Sequence, residues 1–133
     1  MIQKRKRPDV LEGKTVKVKT GCGNLYTTLN SDGGKLIEVF AALGKSGSCT
    51  KCVMEGIARI VSLALKYDVP VEEIVKQLKG LQCPSPMMWP KEDRVLSCPD
   101  CIAKVLEEHE LLVAIREVEP TKSEMEGLES VSH

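Results

Sequence analysis

The chain has 133 residues, 42% hydrophobic and 29% charged, with equal numbers of basic and acidic side chains. That length gives one domain with a real core and leaves no room for a complete multidomain catalyst. No apolar run approaches the roughly 18 residues of a membrane span, and the basic start, Met1-Ile2-Gln3-Lys4-Arg5-Lys6-Arg7, leads into no apolar stretch, so no membrane anchor or secretion signal is expected and the cytoplasm is the expected compartment.

Aromatics make up 3%, so the core must be built from Leu, Ile, Val, Ala and Met. Residues 1–13 read as a basic extended tail that ends at Gly13. Thr15-Val16-Lys17-Val18-Lys19-Thr20 alternates apolar and polar, as a half-buried strand does. Gly21-Cys22-Gly23-Asn24 interrupts it. Leu25 to Asn30 is rich in β-formers and predicts a second strand. Ser31-Asp32-Gly33-Gly34 is a turn, and Lys35 to Phe40 predicts a third strand in antiparallel meander order.

Gly44-Lys45-Ser46-Gly47-Ser48-Cys49 is a glycine-rich loop ahead of a helix of about 50–66. Val53, Ile57, Ile60, Val61, Ala64 and Leu65 have the spacing of one helical face. Pro70 opens the next helix, with Val71, Ile74, Val75 and Leu78 as its stripe and Gly80 as its stop. A proline-rich loop runs from Cys83 to Pro90. Ser97 can cap a third helix, Asp100 suits its positive end, and Ile102, Val105 and Leu106 supply its buried stripe. The expected fold is α+β: a three-stranded antiparallel sheet packed against a long helix, followed by two further helices, over residues 14–116. Residues 117–133 form an acidic tail expected to be disordered. Neither tail has a buried stripe, so both are expected to be mobile.

Charge is unevenly spread. Residues 1–19 carry a net of +5 and residues 107–133 a net of −6. The basic start could meet a nucleic-acid backbone, but no aromatics interleave with it and a solvated linker is the first reading. The loop at Gly44-Lys45-Ser46-Gly47-Ser48 lacks the order of a phosphate loop, because Lys45 stands at its start. His109 and His133 have no partner pattern.

The six cysteines are the informative feature. Four form the pairs Cys49-x-x-Cys52 and Cys98-x-x-Cys101, and without an oxidising compartment metal or redox chemistry explains them better than packing does. Cys22 lies between two glycines at a strand end. Cys49 and Cys98 sit at predicted helix starts, where unsatisfied N–H groups favour thiolates. Cys83 follows a helix and precedes a proline. Sulfur ligands select zinc or an iron–sulfur centre.

Ser97-Cys98-Pro99-Asp100 ahead of a helix resembles the signature of the TSCPD domain, with Leu96 where the family's Thr would stand. That domain closes adenosylcobalamin-dependent (class II) ribonucleotide reductases and also occurs as small free-standing four-cysteine proteins. Arg7-Pro8-Asp9-Val10-Leu11-Glu12-Gly13, Thr20-Gly21-Cys22-Gly23-Asn24-Leu25-Tyr26, Leu43-Gly44-Lys45-Ser46-Gly47, Ile74 to Gly80 and Cys83-Pro84 resemble the same region in order, over roughly residues 4–112. The resemblance implies a zinc-binding module of nucleotide metabolism, with the family's four cysteines on Cys22, Cys49, Cys83 and Cys98. Cys52 and Cys101 fall where the family usually shows small residues, and remain secondary candidates. The radical barrel and cobalamin site of a reductase do not fit in this length. The resemblance therefore implies a detached domain or a free-standing relative, labelled a ribonucleoside-diphosphate reductase by homology and without turnover of its own. Adenosylcobalamin would enter only with a complete reductase. A ribonucleotide reductase, or another protein, is the expected partner. A dithiol module passing electrons to a reductase, or an iron–sulfur protein, is the alternative.

Overall fold

The computed structural model describes residues 2–44 and 49–118. The apolar alternation read in the sequence builds one antiparallel sheet in the order β1-β2-β3: β1 Glu12–Thr20, β2 Gly23–Asp32 and β3 Lys35–Leu43. Every strand outruns its predicted span, because hairpin pairing carries on to the turns: Thr20 pairs with Gly23, and Asp32 with Lys35. Gly33 and Gly34 both take positive φ, 57° and 86°. That is the backbone a two-residue hairpin turn demands. On one face Leu25, Thr27 and Leu29 are fully buried, while Tyr26 between them points outward and is exposed.

Three helices follow: α1 Cys49–Lys66, α2 Val71–Leu78 and α3 Cys98–Val118. The α+β arrangement is the one expected. The buried face of α1 is so only in part. Met54, Ala58, Val61, Ser62 and Leu65 are buried, whereas Val53 and Ile60, both assigned to the inner stripe, are 52% and 69% exposed. The packed face carries small residues because α1 comes close to β3. There the Ser62 hydroxyl accepts from the Val39 N–H and donates to the Val39 carbonyl, each at 2.9 Å. Periodicity of large apolar residues does not register a face made partly of Ala and Ser. Ile57 and Ala64 pack against the core from its margin.

The stripe of α2 is as expected, with Ile74 and Val75 buried and Val71 and Leu78 partly so. This helix packs chiefly on α3. Between them the proline-rich loop is pinned by a Met87–Val95 bridge around a single 3-10 turn, Lys91–Asp93. Ser97 caps α3, its Oγ accepting the Asp100 N–H at 3.1 Å. Ile102, Val105 and Leu106 are buried. Asp100, 1% exposed, accepts the Gly80 N–H at 2.9 Å and the Leu96 N–H at 3.1 Å, and pairs with Lys104 at 3.2 Å. One carboxylate thus ties the end of α2, the loop and the start of α3.

The basic start is extended and touches the body of the domain at two points. The Arg5 N–H donates to the Lys66 carbonyl at 2.8 Å, and Arg7 Nε meets Glu38 Oε2 at 2.6 Å. The Glu38 side chain is only 4% exposed, and a buried carboxylate needs a cation beside it. Residues 117 and 118 complete α3. The rest of the acidic tail, with His133, and the loop residues 45–48 lie outside the described residues.

Candidate metal centre

The cysteine region is assembled where the β1–β2 turn meets the proline-rich loop and the start of α3. Gly21 makes that meeting possible. A Cβ placed there would lie 1.7 Å from the Ser85 carbonyl oxygen, so only glycine lets the two backbones come together. Cys22 follows Gly21 in the turn, and Cys83 lies two residues before Ser85. The Cys83 N–H donates to the Leu96 carbonyl at 3.0 Å, which sets the loop beside α3. Cys98 is the first residue of α3.

Cys22 and Cys83 both act on Cys98. Burial pushes the Cys98 thiol above its ordinary value; the Thr20 hydroxyl opposes this; Cys22 and Cys83 push it further up. Thr20 Oγ1 lies 3.6 Å from Cys98 Sγ; it accepts the Cys22 N–H at 3.2 Å and donates to the Gly23 carbonyl at 2.7 Å. The Ser85 N–H donates to Cys83 Sγ at 3.4 Å. An N–H at sulfur, as Ser85 offers Cys83, is what thiolate ligands use to orient and stabilise themselves.

Cys49 is the first residue of α1 and is exposed. The chain leaves β3 with the Gly44 N–H bonded to the Asn24 carbonyl at 3.1 Å, two residues from Cys22, so α1 starts from the same end of the sheet. Among the described residues no three Cys, His, Asp or Glu side chains stand as a finished ligand set for a metal ion.

The two Cys-x-x-Cys pairs part company. Cys52 is exposed on α1. Cys101 is 1% exposed within the core, and its thiol is pushed up to about 12 by burial first and by Cys98 and Asp100 next. It is packed as a small hydrophobe.

Thiolates are donors that zinc takes. Neighbouring thiols raise the Cys98 pKa because two thiolates repel, and a divalent ion between them would turn that repulsion into attraction. The hydroxyl of Thr20 and the N–H of Ser85 would remain as partners of the sulfurs. Each stands two residues from a cysteine in the sequence, Thr20 from Cys22 and Ser85 from Cys83, and spacing alone gave neither a role. His109 is carried by α3. Burial holds it below its ordinary value, and Lys14 and Arg116 add to that.

Comparison with known proteins gives the geometry its context. Two vitamin B12-dependent ribonucleotide reductases are similar to the chain. The one from Bradyrhizobium diazoefficiens is 36% identical over 76 residues, which is 56% of this chain and 6% of the reductase. The one from Agrobacterium fabrum is 32% identical over 75 residues, again 56% and 6%. The chain thus spans a small fraction of the length of the curated relatives it matches. No solved structure matches it. The sequence model of the TSCPD domain matches residues 2–110, from the docked arginine arm through most of α3 and across all six cysteines, and the chain belongs to the TSCPD family.

Proposed function

We propose that the chain is a ribonucleotide-reductase-related module that holds a structural zinc ion on Cys22, Cys49, Cys83 and Cys98 and acts by securing this fold or by docking to a reductase. The observation that carries this reading is the meeting of Cys22, Cys83 and Cys98, with Thr20 and Ser85 at the sulfurs. Cys49 is the fourth thiol by its place at the same end of the sheet. Bound zinc would supply folding energy on the order of 10 kcal/mol. The ligands come from the β1–β2 turn, α1, the proline-rich loop and α3, so the ion would join all the layers of the domain. The likeness to B12-dependent reductases supports a reductase partner, and the cytoplasm, where thiols stay reduced, suits open cysteines.

Six single Cys→Ala variants test the reading, each scored for bound zinc and thermal midpoint. Alanine at 22, 49, 83 or 98 should empty the site or unfold the domain. Alanine at 52 should keep the zinc, and alanine at 101 should keep it with a modest loss of stability from the core. Loss of zinc at 52 and 101 with retention at 22 and 83 would overturn the quartet.

One observation favours a second reading. Cys49 and Cys52 are both exposed, one turn apart at a helix start, as an exchange-active dithiol requires. Metal-bound thiolates form disulfides poorly, so the two roles compete for Cys49. A metal-free protein with a reversible Cys49–Cys52 disulfide would establish the dithiol role, and visible charge-transfer absorption would indicate an iron–sulfur centre instead.

A further inference from the structure

The helices cover one face of the sheet and the edge of β3, and leave the other face open. Register places Thr15, Thr28 and Phe40 in one row across that face, and Lys17, Tyr26 and Ala42 in the next. The Thr15 and Thr28 hydroxyls lie 2.9 Å apart, which fixes the rows. Tyr26 and Phe40 are therefore diagonal neighbours on adjacent strands, with Cβ atoms about 7 Å apart in such a position. Both are exposed, at 37% and 53%. The whole chain has one Trp, two Tyr and one Phe, all four of them exposed, and two of the four stand together on this face.

Within its paired rows this face carries more cations than carboxylates, and Glu92, Asp93 and Glu108 line the β1 edge beside Lys17 and Lys19. Lys17 and Lys19 point outward from β1. On the face itself, Glu38 is the one carboxylate among the described residues of the three paired rows, and it is buried and neutralised by Arg7. The arm that carries Arg7 also carries Lys4 and Lys6, and it crosses beside the row next to Phe40. Sequence reading set the basic arm aside because no aromatics interleave with it. Folding brings the aromatics to it.

We infer that the open face of the sheet is a platform for single-stranded nucleic acid, with Tyr26 and Phe40 stacking on two bases and Lys17, Lys19 and the basic arm holding the phosphates. Aromatic side chains on a rigid sheet, bordered by cations, bind splayed bases of any sequence. A duplex keeps its bases stacked inside and offers such a face only its backbone. An acidic protein surface would satisfy the lysines but would leave the two ring faces without a matching plane.

The test uses the full-length protein and a fluorescein-labelled oligothymidine of about ten nucleotides, within the site sizes of single-strand-binding folds. Fluorescence anisotropy at low salt should show binding, and a duplex of the same length should bind far less. Tyr26→Ala and Phe40→Ala should each weaken binding roughly 5- to 150-fold, with circular dichroism unchanged because both side chains are exposed. Tyr26→Phe should keep the affinity. Lys17→Gln and Lys19→Gln should each flatten the slope of log affinity against log salt by about 0.7. The inference is overturned if the oligothymidine does not bind, if the duplex binds as tightly, or if the Tyr26→Ala/Phe40→Ala double variant binds like wild type. Capture of a reductase polypeptide by this face without oligonucleotide binding would overturn it equally.

Discussion

Replacing Asp100 should destabilise the domain more than any substitution of a single surface charge. With alanine at 100, the Gly80 and Leu96 N–H groups lose their acceptor inside the protein. Each orphaned donor costs about 1–3 kcal/mol. The Lys104 pair adds little, since the Lys104 side chain is 39% exposed. The expected loss is about 3–5 kcal/mol, the range found on breaking a buried charge pair. Asparagine keeps one acceptor and turns an N–H2 toward the other amide, so it should cost about half as much. Urea unfolding followed by far-ultraviolet circular dichroism gives the numbers. Tryptophan emission would report poorly, because Trp89 is 79% exposed. The pH dependence is a second signature. Burial alone would raise the Asp100 pKa, but the Gly80 and Leu96 donors and Lys104 outweigh it and hold it below its ordinary 3.8. Its stabilisation is therefore complete well above pH 3.8 and is lost as the pH falls through the lower folded value. The gap between wild type and Asp100→Asn should be constant near neutrality and close in acid. A loss below about 1 kcal/mol for Asp100→Ala, within the reach of ordinary surface changes, would refute the view of this carboxylate as the tie between α2 and α3.

Thr27 is fully buried, and its hydroxyl has no hydrogen-bond partner among the described residues, so Thr27→Val should raise stability by up to about 1–2 kcal/mol in the same urea assay; a loss would mean that the hydroxyl is satisfied after all. His109 is held below its ordinary 6.5, so the unfolded chain takes up the proton first and stability should fall as the pH drops below 6.5; His109→Leu should abolish that dependence in thermal unfolding followed across pH, and an unchanged dependence would refute the assignment. In the metal-free native protein, brief iodoacetamide treatment at mildly alkaline pH should modify Cys22, Cys49 and Cys52 and spare Cys101, whose thiol is pushed up to about 12. Mass spectrometry of the digest reads this directly, and modification of Cys101 at a matching rate would contradict its burial.

Much of the fold was legible because it is local. Alternation in Thr15 to Thr20, the Gly33-Gly34 turn and the Ser97 cap each act within a few residues, and each is realised. The inner face of α1 was read only in part: Val61 and Leu65 are buried as expected, but Ala58 and Ser62 fit against β3 by being small, and a hydrophobic period weighs large side chains. The docking of Arg7 on Glu38 and of Asp100 on Gly80 joins residues far apart in the chain, and such pairings leave no local pattern. The cysteines divide in the same way. Spacing made Cys52 and Cys101 look equivalent, whereas one is on the surface and the other in the core. Cys22, Cys49, Cys83 and Cys98 were named from resemblance, and the Gly21–Ser85 approach brings the segments of Cys22 and Cys83 together.

The clasp between Ser62 and Val39 has a consequence for how copies of this chain behave when crowded. An edge strand offers unpaired backbone groups to any passing strand, and growth from such an edge is how sheets polymerise. At the middle of β3 one serine hydroxyl already occupies both the donor and the acceptor of Val39, so that flank cannot be extended without lifting α1 away. The opposite flank, β1, is guarded differently: lysines at 14, 17 and 19 would be brought against those of a second copy. The sheet is sealed on one side by geometry and on the other by repulsion, and only the second seal weakens as salt rises.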